Sequence, residues 1–282
     1  MKHMKYGLLV AGLGLMLGVT SCLDGGDNST TVSYYEIVKK DALTGTYTSQ
    51  MGYKVAPLNP QDLEDLPWAS DYIQLYYSYD YGQDMSGGEI DANVYGYSLI
   101  REGQWLPQSP AEGDANAPIS DVVLDSDNKP YDFFYKQDDI FLPIELFVRK
   151  EVDTNDLEQR EAEMAQHEFA LYYDADKDFS ESGMTLYLRH KMLNVEEDDE
   201  FTQLSGGWWH FNIIDAMARY QEKYSKRPDK ITISFEQNTK DVSYADNLVS
   251  EGKAELDYQK IVEFNEALSG SKGISKLLRG KR

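Results

Sequence analysis

Hydrophobic and polar residues alternate along much of this chain, with the period of two that predicts β-strands. In the clearest case, residues 71–81, one set of side chains is Tyr72, Gln74, Tyr76 and Ser78, and the alternating set is Ile73, Leu75, Tyr77 and Tyr79. Other β-like runs cover residues 32–38, 50–55, 90–100, 121–124, 131–136, 140–148, 167–173, 184–193, 206–211 and 229–236. Turn residues separate these runs, so the pattern predicts an all-β fold.

Two residues within the predicted strands indicate local irregularities. Gly96 predicts a bulge or a tight bend in the strand at residues 90–100. Pro143 predicts an edge strand or a break within residues 140–148, because proline has no backbone donor for a ladder.

One segment has helical spacing instead. Residues 213–224 place Met217 and Tyr220 on one apolar face, which predicts a short helix. Asn212 stands just before it and Asp215 lies three residues further on, the spacing of a capping box.

A stretch rich in Glu, Asp and Gln at residues 151–166 divides the predicted strands into two groups. Its apolar positions are too few for a packed face, so we interpret it as an acidic linker. We therefore predict a β domain at residues 33–150, a second one at 167–255 and a C-terminal tail at 256–282. The first group of strands suits a small barrel or a sandwich.

The N-terminus has the order of a secretory signal. Lys2 and Lys5 precede an apolar, glycine-rich run at residues 6–19, which is shorter than the ~20 residues that a membrane-spanning helix needs. The run ends in Val19-Thr20-Ser21-Cys22, which resembles the lipobox of bacterial lipoproteins: an aliphatic residue, two small residues and a cysteine.

The lipobox resemblance implies that cleavage falls between Ser21 and Cys22, which makes residues 1–21 a signal peptide, and that fatty acyl chains on Cys22 anchor the chain to a membrane. The alternative is an ordinary signal peptide followed by a spare thiol. Cys22 is the only cysteine, so an intrachain disulfide is excluded. Residues 22–32 are rich in Gly, Ser, Thr, Asn and Asp and form a flexible tether. We expect an outer-membrane location in the cell envelope, on either the periplasmic or the surface-exposed side.

The chain is acidic, with 49 Asp and Glu against 27 Lys and Arg and a net charge of −22. Nucleic acid is an unfavourable partner, because its recognition rests on Lys and Arg neutralising phosphates. The 21 tyrosines suit half-buried strand surfaces and also binding faces.

No catalytic or metal-binding pattern emerges. His167, His190 and His210 occur singly, and the HExxH zinc pattern that begins at His167 has Leu171 in place of its second histidine. We therefore predict no metal site and no cofactor other than the lipid on Cys22.

One acidic loop resembles the start of a calcium loop. Asp174, Asp176 and Asp178 have the right spacing, but Phe179 replaces the required glycine and Thr185 replaces the final glutamate. We interpret residues 174–178 as a solvated hairpin loop, with a weak calcium site as the alternative.

Three aromatic residues are candidates for facing a ligand: Trp208, Trp209 and Tyr76. Trp208 and Trp209 are neighbours on a predicted strand, so they point to opposite faces and at most one of them faces a ligand. The other belongs to the core, or both do.

The second half resembles a known family. LYLRHKML at residues 186–193, GGWWHFNIIDAM at 206–217 and KITISFEQ at 230–237, behind a lipobox, are similar to the NigD-like lipoproteins. The resemblance implies an OB-type β-barrel at the N-terminus and a β-sandwich with one short helix at the C-terminus. It implies no catalytic residue, and the family name refers to bacteriocin immunity.

The sequence thus predicts a non-enzymatic lipoprotein of the cell envelope that acts by binding or protection. Immunity against a bacteriocin is one form of protection that would fit this prediction. One alternative is a carbohydrate- or protein-binding accessory module at the cell surface. Another is an envelope hydrolase with paired carboxylates, which the many acidic residues neither favour nor exclude.

Overall fold

The alternating segment at residues 71–81 forms a nine-residue strand, Tyr72–Asp80. It belongs to a computed structural model that describes residues 31–60, 63, 70–106, 117–124, 130–240, 242 and 249–269. The strands are β1 Thr31–Asp41, β2 Thr46–Ser49, β3 Lys54–Pro57, β4 Tyr72–Asp80, β5 Glu89–Glu102, β6 Gln104–Trp105, β7 Asp121–Val122, β8 Phe134–Tyr135, β9 Asp139–Arg149, β10 His167–Tyr172, β11 Phe179–Ser180, β12 Gly183–Met192, β13 Phe201–Asn212, β14 Lys230–Gln237 and β15 Ser250–Asp257. The helices are α1 Leu157–Met164, α2 Ile214–Tyr224 and α3 Tyr258–Ser269, and Pro130–Phe133 is a short 3₁₀ helix.

The first five strands close into a barrel. β1 pairs with β2 and β4, β2 pairs with β3, and β5 closes the ring by pairing with β3 in parallel and with β4 antiparallel. The inner set of β4 side chains fills the barrel, as their alternation predicts: Ile73, Leu75, Tyr77 and Tyr79. Five strands in one closed ring are the size of the predicted OB-type barrel.

Strand β5 leaves the barrel and continues into the rest of the molecule. Its last residues, Ile100 to Glu102, pair in parallel with β13, which pairs antiparallel with β9. Strands β7 and β8 pair with β9. A single nine-stranded sheet therefore includes both the barrel and one layer of the second unit.

A second, six-stranded sheet forms the other layer of a sandwich. Its order is β15-β14-β12-β10-β6, with β11 beside β12. Side chains from both sheets share one apolar core, in which the ring of Trp209 on β13 lies 4.5 Å from that of Phe169 on β10. Strands dominate both units and the helices are short, so the predicted all-β fold with two β units is confirmed.

Two features near the predicted linker differ from the sequence prediction. Strand β9, placed in the first β domain, pairs with β13 of the second half. Residues 151–166 contain α1, which buries Glu163 and Met164. Helix α1 is attached largely through ion pairs, Arg101 with Glu161 and Arg149 with Glu163, so apolar periodicity gave no sign of its packing.

Pro143 neither breaks β9 nor places it at an edge. Strand β9 is continuous over eleven residues and has β13 on one side and β7 on the other. Strand β7 is only two residues long and pairs with Ile144 and Glu145, so Pro143 lies beyond its end and needs no donor there. Gly96 does lie at the predicted irregularity, since the pairing of β4 with β5 shifts register between Tyr76 and Tyr77.

The segment predicted as a tail begins within the folded body. Leu256 is in β15, a strand that follows β14 and was not predicted. Tyr258 and Ile261 of α3 have no exposed surface, and the Tyr258 hydroxyl donates to the carbonyl of Gln137.

A carboxylic acid lies inside the barrel. Glu36 of β1 accepts a hydrogen bond from the hydroxyl of Tyr77, with the oxygens 2.6 Å apart. Burial raises the pKa of Glu36 to about 7, and the bond from Tyr77 offsets only part of this rise.

Glu36→Gln is expected to stabilise the protein above neutral pH. The folded-state pKa exceeds the ordinary value of 4.5, so stability is greatest below pH 4.5 and decreases as the pH rises to about 7. Glutamine keeps an acceptor for Tyr77 and carries no charge, so the variant should gain about 2 kcal/mol in unfolding free energy at pH 8. Urea unfolding of both proteins at pH 4.5 and 8 measures the difference. If the unfolding free energies of the wild-type protein and Glu36→Gln changed equally with pH, the raised pKa of Glu36 would be contradicted.

Candidate functional site

A polar cleft of about 600 Å³ opens where the barrel meets the sandwich. It is lined by Lys39, Ser70, Asp71, Tyr72, Glu102, Asp139, His210 and Asn212. These residues lie at or beside strand ends of β1, β4, β5, β9 and β13. They meet because β5 runs from the barrel into the sandwich and pairs there with β13.

His210 is the centre of the cleft. Its Nδ1 lies 2.7 Å from Oε2 of Glu102, and its Nε2 lies 2.9 Å from Oδ1 of Asp139. Both ring nitrogens face carboxylate oxygens, so both carry protons and donate, and the ring is an imidazolium. It also packs on two aromatic rings, with its centroid 4.7 Å from that of Tyr72 and 5.1 Å from that of Phe141.

Further hydrogen bonds hold the two carboxylates in place. Asp139 accepts from the hydroxyl of Tyr72 at 3.1 Å and from the amide of Asn212 at 2.8 Å. Glu102 accepts from the hydroxyl of Ser70. The cluster therefore joins the start of β4 in the barrel to β9 and β13 in the sandwich.

The charges in the cluster stabilise one another. Burial lowers the pKa of His210, but its hydrogen bonds to Asp139 and Glu102 outweigh burial and raise this pKa to about 9. Burial raises the pKa values of Glu102 and Asp139, and the hydrogen bonds with His210 bring both below their usual range.

This arrangement is unsuited to the usual chemistry of histidine. General-base catalysis and metal coordination both need a free ring nitrogen, and the two carboxylates occupy both nitrogens of His210. Ser70 donates to Glu102 and not to the imidazole, so the cluster lacks the serine–histidine pair of an activated nucleophile.

The other two histidines form a separate, buried pair. His167 of β10 and His190 of β12 have ring nitrogens 2.9 Å apart, so the three histidines do not converge. Burial lowers the pKa of His190 to about 3, which leaves it neutral. Within the described ranges, no three His, Cys, Asp or Glu side chains are grouped to hold a metal ion.

Next to this pair lies a charged network that sequence reasoning missed. The guanidinium of Arg149 donates to Glu163 at 2.7 Å, to Asp199 at 3.0 Å and to the carbonyl of Asn194 at 2.8 Å. It joins the end of β9 to α1 and to the acidic loop before β13. The sequence did contain a signal for this network. Arg149 directly follows a predicted strand, and the acidic segments that supply its two carboxylate partners lie further along the chain.

Trp208 and Trp209 both belong to the core, which was one of the outcomes that the sequence left open, so neither of these two candidates faces a ligand. Trp208 is 8% exposed and stacks with Phe133, and Trp209 is 1% exposed and contacts Phe169. They do point to opposite faces of β13, but a layer of side chains covers each face. Tyr76, the third candidate, is 41% exposed on the barrel surface. Ser21 and Cys22 lie outside the described residues.

In the acidic loop at residues 174–178, the carboxylates bond within the protein. Asp178 accepts from the backbone of Asp174 at 2.7 Å and from the hydroxyl of Tyr187 at 3.0 Å. Asp174 pairs with Lys177 at 2.8 Å. This agrees with the interpretation of the segment as a hairpin loop.

No family model and no curated protein matches the chain, whereas solved structures do. A "Putative lipoprotein" of Bacteroides fragilis matches with a TM-score of 0.62 and 22% identity, over 80% of this chain and 98% of that chain. A NigD-like immunity protein of Bacteroides caccae matches with a TM-score of 0.43 and 11% identity, over 78% and 90% of the two chains. The first match shows a common fold. The second carries the name of the family that the sequence resembles.

Among the described helices, none is both long enough and apolar enough to cross a bilayer.

Proposed function

We propose that this chain is a lipid-anchored protein of the cell envelope that acts by binding and not by catalysis. The observation that carries the proposal is the lipobox-like Val19-Thr20-Ser21-Cys22, whose cysteine lies nine residues before Thr31, the first residue of β1. Acyl chains on Cys22 would add about 0.8 kcal/mol of membrane affinity per buried CH₂ group, and two or more chains give a stable anchor.

The position of the folded body fits such an anchor. Residues 23–30 would span at most roughly 30 Å when fully extended. The barrel, which begins with β1 at Thr31, would therefore be held within one domain diameter of the membrane. Attachment at Cys22 alone would leave the outer surfaces of the barrel and the sandwich free for a partner.

The chemistry of the cleft supports a role in binding. His210 is the titratable residue best placed for catalysis, and its two nitrogens are committed to Glu102 and Asp139. The cluster instead provides fixed charges and hydrogen-bonding groups at the junction of the two units.

Cys22→Ser is expected to abolish acylation and to release the protein from the membrane fraction. Cells grown with an alkyne-tagged fatty acid would report acylation, and fractionation would report location. Ser21→Ala is the matched control, because it keeps a small residue before Cys22 and should keep both the label and the membrane location. A Cys22→Ser protein that still carries the label would overturn the proposed anchor.

A further inference from the structure

One outer surface of the barrel carries no charged side chain at its centre. Strands β1, β4 and β5 lie side by side, and their outward rows contain Tyr35, Tyr76, Ser78, Asn93, Tyr95 and Ser98. We call this surface the polar-aromatic face. Charged residues make up 27% of the chain and its net charge is −22, so an uncharged patch of hydroxyl, amide and phenol groups is a departure from the rest.

A β-bulge places two tyrosines together on this face. Tyr76 of β4 pairs with Gly96 of β5, whereas Tyr77 pairs with Val94, so Tyr95 is an extra residue. Bulges re-aim side chains, and here the bulge turns Tyr95 outward beside Tyr76. The ring centroids are 5.3 Å apart at an angle of 43°, and the two residues are 57% and 41% exposed.

Gly96 leaves space next to the two rings. A Cβ atom built at Gly96 would meet no atom within 4 Å, so the backbone forms an open floor beside Tyr76 and Tyr95. A flat ligand can lie on this floor and contact aromatic surface.

Hydrogen bonds hold the surrounding groups in position before any ligand arrives. The hydroxyls of Ser78 and Tyr95 lie 2.8 Å apart. Tyr35 donates to Gln74 at 2.5 Å, and the hydroxyl of Ser98 lies 3.3 Å from that of Tyr35. A preorganised surface loses less side-chain entropy when it binds.

We propose that the polar-aromatic face binds a neutral glycan. A pyranose ring has an apolar face of C–H groups, which suits Tyr76 and Tyr95, and a rim of hydroxyls, which suits the exposed amide of Asn93 and the tyrosine hydroxyls, whereas Ser78 is buried and only positions the hydroxyl of Tyr95. The face offers no cation for an acidic sugar, and the net negative charge of the chain disfavours anionic ligands. It also lacks the aliphatic side chains that form the centre of many protein interfaces.

This inference rests on the proposed binding function and names its site. Its test uses the full-length protein, purified in detergent and applied to an array of neutral and acidic oligosaccharides. Binding to neutral members is expected. Tyr76→Ala and Tyr95→Ala should each weaken binding to the best neutral member at least tenfold, as measured by titration calorimetry.

Two further variants make this test specific. Gly96→Val puts its Cβ atom in open space, since no atom lies within 4 Å of that position, so it should block binding while the melting temperature is retained. Tyr81→Ala is the control, because Tyr81 is 39% exposed but lies beyond the end of β4, and it should bind normally.

Any one of several results would overturn the glycan proposal. These are a lack of binding to every neutral glycan, binding to acidic members alone, and binding that Tyr76→Ala and Gly96→Val leave unchanged. Capture of a protein ligand in place of a glycan on the same face would also overturn it. If the same preparation is still acylated at Cys22, the proposed lipid anchor holds even when the glycan proposal fails.

Discussion

Arg149→Met is expected to lower the free energy of unfolding by about 3–5 kcal/mol, the range for removing one partner of a buried ion pair. The side chains of Arg149, Glu163 and Asp199 are 13%, 5% and 14% exposed, so water cannot replace the lost partner well. Methionine keeps much of the arginine's apolar stem but leaves Glu163 without its strongest cation. The end of β9, α1 and the acidic loop would lose their common contact.

The pH dependence of the unfolding free energy should identify Glu163 as the carboxylate that loses its partner. Burial raises the pKa of Glu163, but His167 and Arg149 outweigh burial and bring this pKa to about 2. A depressed folded-state pKa gives stability that is present above the unfolded value of 4.5 and is lost as the pH falls towards 2. Arg149→Met should therefore remove part of the acid sensitivity between pH 4.5 and 2.

Urea unfolding at pH 7 and pH 3, followed by tryptophan fluorescence, measures both effects. Arg149→Lys is the matched control, because it keeps the charge but loses the planar fork that reaches Glu163, Asp199 and Asn194 together. The unfolding free energy of Arg149→Lys should lie between those of the wild-type protein and Arg149→Met. An Arg149→Met protein as stable as wild type at pH 7 would show that the network contributes only specificity.

His210→Gln is expected to cost about 2–4 kcal/mol at pH 6, because a neutral glutamine side chain replaces a cation whose two ring N–H groups donate to Glu102 and Asp139. The side chain of Glu102 is half-exposed, so solvent screens its interaction with His210 and little stability is lost with that hydrogen bond. Asp139, 17% exposed, bears most of the cost. The junction between the start of β4 and the end of β13 would loosen.

The sign of the pH effect follows from the raised pKa of His210. Its contribution to stability is complete below the ordinary value of 6.5 and disappears as the pH rises through about 9. The gap between wild type and His210→Gln should therefore shrink between pH 6 and pH 9.5 in denaturant unfolding. Asn212→Ala removes the amide hydrogen bond to Asp139 and the acceptor for the backbone N–H of Ile214. Asn212 does not titrate, so this variant should cost about 1–2 kcal/mol at both pH values. A gap that stays constant with pH would contradict an imidazolium at this site.

Local patterns were sufficient to predict much of the barrel. The alternation in residues 71–81 identified β4 and its inner face, and the spacing of Met217 and Tyr220 identified α2. Both signals arise from neighbours along the chain, which a sequence shows directly. The all-β class follows from the same patterns.

The candidate cleft could not be predicted in this way. His210 is 108 residues from Glu102 and 71 residues from Asp139. The parallel pairing of β13 with β5 brings Glu102 to His210, and the antiparallel pairing of β13 with β9 brings Asp139. Trp208 and Trp209 show a different limit of the sequence, which identified the residues but not their environment. Aromatic residues fit both a core and a binding surface, so their identity did not decide between the two.

Strand β5 also determines how the molecule can move. A hinge between barrel and sandwich would have to bend a strand that is hydrogen-bonded to β4 on the barrel side and to β13 on the other. Such bending would break backbone hydrogen bonds, and an amide in an intact hydrogen bond is protected from hydrogen exchange. We therefore expect amides along β5 to exchange together, in one cooperative opening, and a ligand on the barrel to protect amides in β13 as well.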